Sequence, residues 1–252
     1  MIVVKNDREI AKMKVAGRIA ANALALAGKA IKPGISTLEL DSIIDEYIKS
    51  QGAIPSFLNY GGFPKSSCIS VNNVVIHGIP SSDCILKNGD IVSIDVGAYY
   101  DGFHGDTAFT FPCGEISSAA KSLLEATRES LYEGIKKAVV GNRVGNISAA
   151  VQEYVEARSY SVVRDFVGHG VGAKLHEEPS VPNYKTLGRG ARLLPGMTIA
   201  IEPMVNEGSY DVNVLKDGWT TVTSDGKLSA HFEHTIAVTS GEPIILTQPD
   251  LN

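Results

Sequence analysis

Two periods of apolar side chains alternate along this chain, one of three to four residues and one of two, and together they predict helices interleaved with short strands. The helical period predicts a first helix over Asp7–Ala30, ended by the breaker pair in Lys32-Pro33-Gly34. A second helix is predicted from Ser36-Thr37-Leu38-Glu39, which has the spacing of a capping box. It carries Leu40, Ile43, Ile44 and Tyr47 on one face. Further helices are expected over residues 118–140 and 147–157. Strands are expected over the β-branched runs 68–75, 91–99, 103–111, 198–205 and 234–238. No Pro/Ser-rich linker interrupts this order, so one domain over 1–252 is expected, with internal halves of about 1–115 and 116–252.

Composition narrows the class. The 252 residues can bury a sizeable core, and 44% hydrophobic with 20% charged residues excludes a disordered or coiled-coil chain. A net charge of −5 with no basic run gives no sign of a nucleic-acid partner. Cys68, Cys84 and Cys113 are odd in number and form no CxxC pair, which fits a reducing compartment. No stretch approaches the ~18 apolar residues of a membrane span, and the N-terminus has no signal-like core, so a soluble, cytoplasmic protein is expected.

The halves repeat. A slide of 107 positions lays Ile44-Asp45-Glu46-Tyr47-Ile48 on Val151-Gln152-Glu153-Tyr154-Val155. The same slide lays Gly89-Asp90-Ile91-Val92-Ser93-Ile94-Asp95 on Gly196-Met197-Thr198-Ile199-Ala200-Ile201-Glu202, so Asp95 falls on Glu202. With other loop lengths Asp106 meets Glu233, and His77-Gly78-Ile79 meets His169-Gly170-Val171. Self-similarity at this period predicts a duplicated, pseudo-two-fold fold.

Five residues, Asp95, Asp106, His169, Glu202 and Glu233, sit in segments that read as a strand or the lip of one, and Asp95, Asp106 and Glu202 each interrupt or end an apolar run. Carboxylates in such runs are costly unless neutralised. Four acids and one imidazole suit divalent cations, and such a set predicts hydrolysis. Asp101-Gly102 is a hairpin signal; a two-residue loop there pairs Tyr100 with Phe103 and position 97 with 106. Asp95 and Asp106 then share a face as diagonal neighbours, ~7–8 Å apart at the backbone. Two ions ~3.5–4 Å apart fit between carboxylates so placed. Taken singly, Asp95 reads first as a strand-end or turn acid and His169 as a core histidine bonded to a backbone carbonyl; the joint pattern favours a metal centre. His77 and His176 stand at the edges of glycine-containing turns as candidates for substrate contact. The glycines at 168, 170 and 172 lack the spacing of a phosphate loop. His104, His231 and His234 flank the acids, as supports or as surface residues.

Gly168-His169-Gly170-Val171-Gly172, His176-Glu177-Glu178-Pro179, Ile201-Glu202-Pro203-Met204 and Phe232-Glu233-His234-Thr235 together resemble the signature of the type I methionine aminopeptidases. The segments Pro64-Lys65-Ser66-Ser67-Cys68-Ile69-Ser70-Val71-Asn72, His77-Gly78-Ile79-Pro80 and Asp101-Gly102-Phe103-His104-Gly105-Asp106 look like the same family, so the resemblance spans essentially the whole chain. It implies an α/β pita-bread fold, with pseudo-two-fold halves, an antiparallel sheet and outer helices. It also implies two divalent ions, with Fe²⁺, Mn²⁺, Co²⁺ and Zn²⁺ all suited to the ligands. By the resemblance Asp95 chelates one ion, Asp106 and Glu233 bridge both, and His169 and Glu202 complete the other shell. His77 and His176 hold the peptide near the scissile bond, and Glu202 shuttles a proton. Tyr60, Phe63, Cys68 and Trp219 match positions lining the methionine pocket. A monovalent cation (Na⁺ or K⁺) near Asn72, Val74 and Ser229 is compatible with it.

The implied activity is removal of the initiator methionine from nascent chains with a small second residue, at the ribosome, by a monomer with no membrane partner. Gly61, Leu175 and Phe57 stand where some members carry histidine, phenylalanine and cysteine, which leaves second-residue and inhibitor preference open. The nearest rivals, proline-specific aminopeptidases and prolidases, share fold and ligands but usually carry an additional N-terminal domain. A non-enzymatic binding homologue would have lost ligands, and none departs here.

Overall fold

A computed structural model describes residues 1–250. Helix α1 spans Asp7–Ala30 and α2 Thr37–Ser50. Both start with capping boxes, Asn6 with Glu9 and Ser36 with Glu39, which satisfy amide groups otherwise left without partners. The second pair of helices is α3, Ser118–Lys136, and α4, Val144–Glu156. Helix α3 stops four residues short of the expected end. Ala138 is still buried, so the apolar period outlasts the helix.

The strands that matter for the site are β1 (Ser67–Val71), β2 (Val74–Ile76), β3 (Ile91–Tyr100), β4 (Phe103–Pro112), β5 (Gly168–Gly170), β6 (Thr198–Ile201) and β7 (Glu233–Ala237). Six of them lie in a nine-stranded sheet in the order β1-β3-β4-β7-β6-β5, all neighbours antiparallel. Tyr100 pairs with Phe103 and Gly97 with Asp106, the register expected from Asp101-Gly102. The seam between the halves is β4–β7, where Ala108 faces Glu233 and Thr107 faces His234.

Two expected strands are each broken in two. In 68–75 the chain turns at Asn72, whose φ is 56° and whose side chain accepts from Ile91 N and donates to Asp90. This turn sends β2 into a separate three-stranded sheet. In 198–205 the break falls at Glu202-Pro203, where proline offers no ladder donor.

Strand alternation separates the two faces of the sheet. Val92, Ile94 and Val96 of β3 join Ile19, Leu24, Leu40 and Ile44 in the core under α1 and α2. Ile199, Ile201 and Ile236 join Leu123, Leu131 and Ile147 under α3 and α4. Residues of opposite parity on β3 and β4, Asp95 and Asp106 among them, are left for the other face. Helix α1 lies close on β4 because Gly17 meets Gly105; a Cβ on Gly105 would collide with the Gly17 backbone. Among the described residues no helix is long and apolar enough to cross a membrane.

Candidate metal and peptide-binding site

The helix-free face carries a cavity of about 200 Å³. The eleven residues expected as metal ligands, peptide contacts or methionine-pocket lining all border it: Asp95, Asp106, His169, Glu202 and Glu233 at the acid cluster, then His77, His176, Tyr60, Phe63, Cys68 and Trp219. Phe57, Gly61 and Leu175 complete its wall.

Each acid is delivered by strand geometry. Asp95 sits mid-strand in β3, with Cys68 of β1 directly opposite, so one register puts carboxylate and thiol on the same face. Asp106 and Glu233 are held across the β4–β7 seam. Thr235 Oγ1 donates to Asp106 O at 2.7 Å, and Thr107 Oγ1 donates to Glu233 O at 2.8 Å. Glu202 follows the end of β6, and Asn183 Nδ2 donates to its carbonyl at 3.0 Å. These threonine and asparagine supports were not anticipated from the sequence, since polar residues in strands usually read as solvent-facing.

The electrostatics favour cations. Asp95, Asp106, Glu202 and Glu233 each have a buried carboxylate oxygen with no hydrogen-bond partner. Burial pushes all four acids up, Asp106 to about 7, and mutual repulsion adds to the effect at Asp95, Glu202 and Glu233. His169 Nδ1 lies 2.9 Å from Gly170 O, an acceptor, so this nitrogen carries the proton. Its Nε2 lone pair therefore faces Glu202 Oε1 at 3.4 Å and Asp106 Oδ2 at 3.8 Å. Burial, then His176, lowers His169 to about 4, so the ring is neutral at pH 7. A lone pair set against carboxylate oxygens needs a proton or a cation between them. Asp106, His169 and Glu233 place ligand atoms within 4.8 Å of one another, so this chain's own atoms fit a divalent metal.

The remaining histidines divide by position. His77 ends β2 with φ at 58°, an uncommon conformation for a side-chain-bearing residue. Its ring meets Phe166 and Trp219 edge-on, and burial lowers it to about 4. The His176 ring lies 4.1 Å from that of His169, with Nδ1 2.8 Å from the Tyr60 hydroxyl. His231 is buried, with Nε2 unpartnered and 3.9 Å from Glu202 Oε2. His104 bonds Ser56 and stacks on Tyr99. His234, turned to the helix side, bonds Thr247. None of His104, His231 and His234 lines the cavity.

The rest of the wall is apolar. Phe57, Phe63, Cys68 and Leu175 are buried together, with Trp219 and Ile79 packed against them. Phe63 and Trp219 meet edge to face at 5.2 Å. Gly97 makes room for Phe57: a Cβ there would lie 2.8 Å from its ring. Burial, then the Asp95 charge, raises the Cys68 thiol, which keeps it a neutral lining group. Cys68, Cys84 and Cys113 are all free thiols.

An antiparallel sheet presenting buried acids and one imidazole to a cavity is the architecture of a metallohydrolase. The chain belongs to metallopeptidase family M24, whose model matches residues 11–240. It is 56% identical to methionine aminopeptidase 1 of Bacillus subtilis, over 98% of this chain and 100% of that protein. It superposes on the crystal structure of a methionine aminopeptidase from Thermotoga maritima with a TM-score of 0.96 at 48% identity, covering 98% of this chain and 100% of that one. An Xaa-Pro dipeptidase from Bacillus anthracis shares the fold at a TM-score of 0.79 and 25% identity, but this chain covers only 61% of its length. The fold is thus the mixed α/β pita-bread fold.

Proposed function

We propose that this protein is a metal-dependent methionyl aminopeptidase that removes the initiator methionine from nascent chains with a small second residue. One observation carries the reading: buried, unpartnered oxygens of Asp95, Asp106, Glu202 and Glu233 converge with His169 at the floor of a cavity whose wall is apolar and aromatic. Asp95, Asp106, His169, Glu202 and Glu233 would together hold two divalent ions (Fe²⁺, Mn²⁺, Co²⁺ or Zn²⁺). Bound there, divalent ions supply Lewis acidity to a carbonyl oxygen and acidify water. The protein does the rest. Phe57, Phe63, Cys68, Leu175 and Trp219 exclude water around the first side chain, and aromatic rings beside a thioether are favourable contacts. Tyr60 borders the mouth. The rings of His77 and His176, neutral because burial lowers both, donate N–H groups to the peptide and to the oxygen that gains charge. Glu202, which burial alone holds protonated and bound cations would deprotonate, would take a proton from the attacking water and pass it to the departing amine.

The halves 1–115 and 116–252 form one catalytic domain that works as a monomer on chains emerging at the ribosome. Three free thiols suit the reducing cytoplasm. A monovalent cation (Na⁺ or K⁺) near Asn72, Val74 and Ser229 is part of the same reading; Ser229 N already donates to Asn72 O at 2.9 Å.

The rival is a proline-specific hydrolase. Metal-loaded protein given Met-Ala-Ser beside Ala-Pro and Gly-Pro peptides is expected to release methionine and leave the proline bonds intact. Preferential cleavage of the proline peptides would install the rival.

A further inference from the structure

The loop over residues 171–176 carries two cavity-lining side chains, Leu175 and His176, without regular secondary structure. Its start is tied down, since Val171 N donates to Thr198 O, Thr198 Oγ1 donates to Val171 O and His104 N donates to Gly172 O, while Gly172 N donates within the loop to Lys174 O. The Glu177 carboxylate, directly after His176, closes the loop. Its Oε1 accepts from Lys174 N at 3.1 Å, and its Oε2 accepts from Lys5 Nζ at 2.6 Å. The pair is dry, with side chains 2% and 9% exposed. Lys5 is itself anchored, since its backbone N donates to Gly196 O at 2.8 Å. A Cβ on Gly172 would lie 2.5 Å from Glu177 Oε1 and 2.6 Å from Lys5 Cε, so the glycine admits the pair.

We propose that Lys5 is a positioning residue for the peptidase reaction: its buried ion pair with Glu177 fixes the loop that presents His176 to the peptide. The inference rests on the reading of His176 as a peptide-binding group. Lys5 lies far from His176 in sequence and touches no substrate. The physical link is desolvation. A buried carboxylate stripped of its cation is strongly unfavourable, and it regains water by moving outward. When the Glu177 carboxylate turns outward it releases Lys174 N, one of the bonds that shape the loop, and the loop that sets His176 against His169 and Tyr60 loosens. Displacements near 1 Å at a reacting group cost up to ~10²-fold in rate.

The test compares wild type with Lys5→Arg, Lys5→Met and the double variant Lys5→Met/Glu177→Gln, which leaves no unpaired buried charge. Three quantities are read: kcat and KM on Met-Ala-Ser, bound metal, and the imidazole signals of nitrogen-labelled protein, with His176 assigned by its loss in His176→Asn. Lys5→Met is expected to lower kcat about ten- to a hundredfold, with KM within about threefold. It should keep its metal and shift the His176 signal while that of His234 stays in place. Lys5→Arg should recover most of kcat. If Lys5→Met does not fold, the double variant, which lacks the ion pair but holds no uncompensated charge, is expected to fold and to show a smaller loss of kcat in the same direction, with a shifted His176 signal. Wild-type kcat with an unmoved His176 signal in either folded variant overturns the proposal, as does a loss of kcat that tracks loss of metal. Failure of the wild type to release methionine would strike the proposed function instead, and the His176 signal would still decide the role of Lys5.

Discussion

At the residue scale the site is a set of charges that the protein alone leaves unbalanced. Glu233 shows this most simply: it is buried, raised by burial and three neighbouring acids, and has an unpartnered oxygen. Glu233→Ala is expected to lose a bound metal and activity together, by more than the ~10–100-fold typical of a change outside the ligand set. Full activity with unchanged metal content would remove Glu233 from that set. The raised acids also fix a proton balance. A carboxyl raised by folding holds its proton to higher pH than in the unfolded chain, so its stabilising effect is complete below its unfolded range and is lost as pH rises through the folded value. Cations invert this preference and expel those protons. Metal addition at pH 7 should therefore release protons, Asp106 at about 7 among the donors. Calorimetry in two buffers of different ionisation enthalpy checks this, and heats independent of buffer would contradict it. The proposed ligands could be singled out in the sequence because Asp95, Asp106 and Glu202 each interrupt or end an apolar run and Glu233 is the repeat partner of Asp106. Lys5 and Glu177 were not, since a lysine in an irregular N-terminal stretch carries no period that marks it as buried.

At the element scale, the β3–β4 hairpin sets the separation of Asp95 and Asp106, and its register was readable because Asp101-Gly102 permits few turns. The strand breaks at Asn72 and Pro203 were harder to see, because β-branched residues continue on both sides. What ends each strand is an asparagine side chain satisfying distant backbone in one case and a missing donor in the other. Helix α1 braces the same hairpin from behind through Gly17 and Gly105. Gly105→Ala is expected to cost about 1–3 kcal/mol by overpacking, read as an earlier urea midpoint. Because Asp106 is the next residue, weaker metal binding should accompany it. An unchanged midpoint would mean that α1 is not held by this contact.

At the scale of the whole molecule, neither half holds the complete acid set. Asp95 and Asp106 come from the first, His169, Glu202 and Glu233 from the second, and the β4–β7 seam brings them together. Equivalent positions have diverged: His169 faces the acids, while His77 stands further along the wall beside Phe166 and Trp219. This arrangement makes metal binding and methionine release one property of the assembled chain. The most direct test follows methionine release from Met-Ala-Ser as Mn²⁺ or Co²⁺ is titrated into metal-free protein, with bound metal measured at each step. Release should start from zero, rise with the ions bound and return to zero with a chelator. Methionine release by metal-free protein, or none from fully loaded protein, would contradict the account.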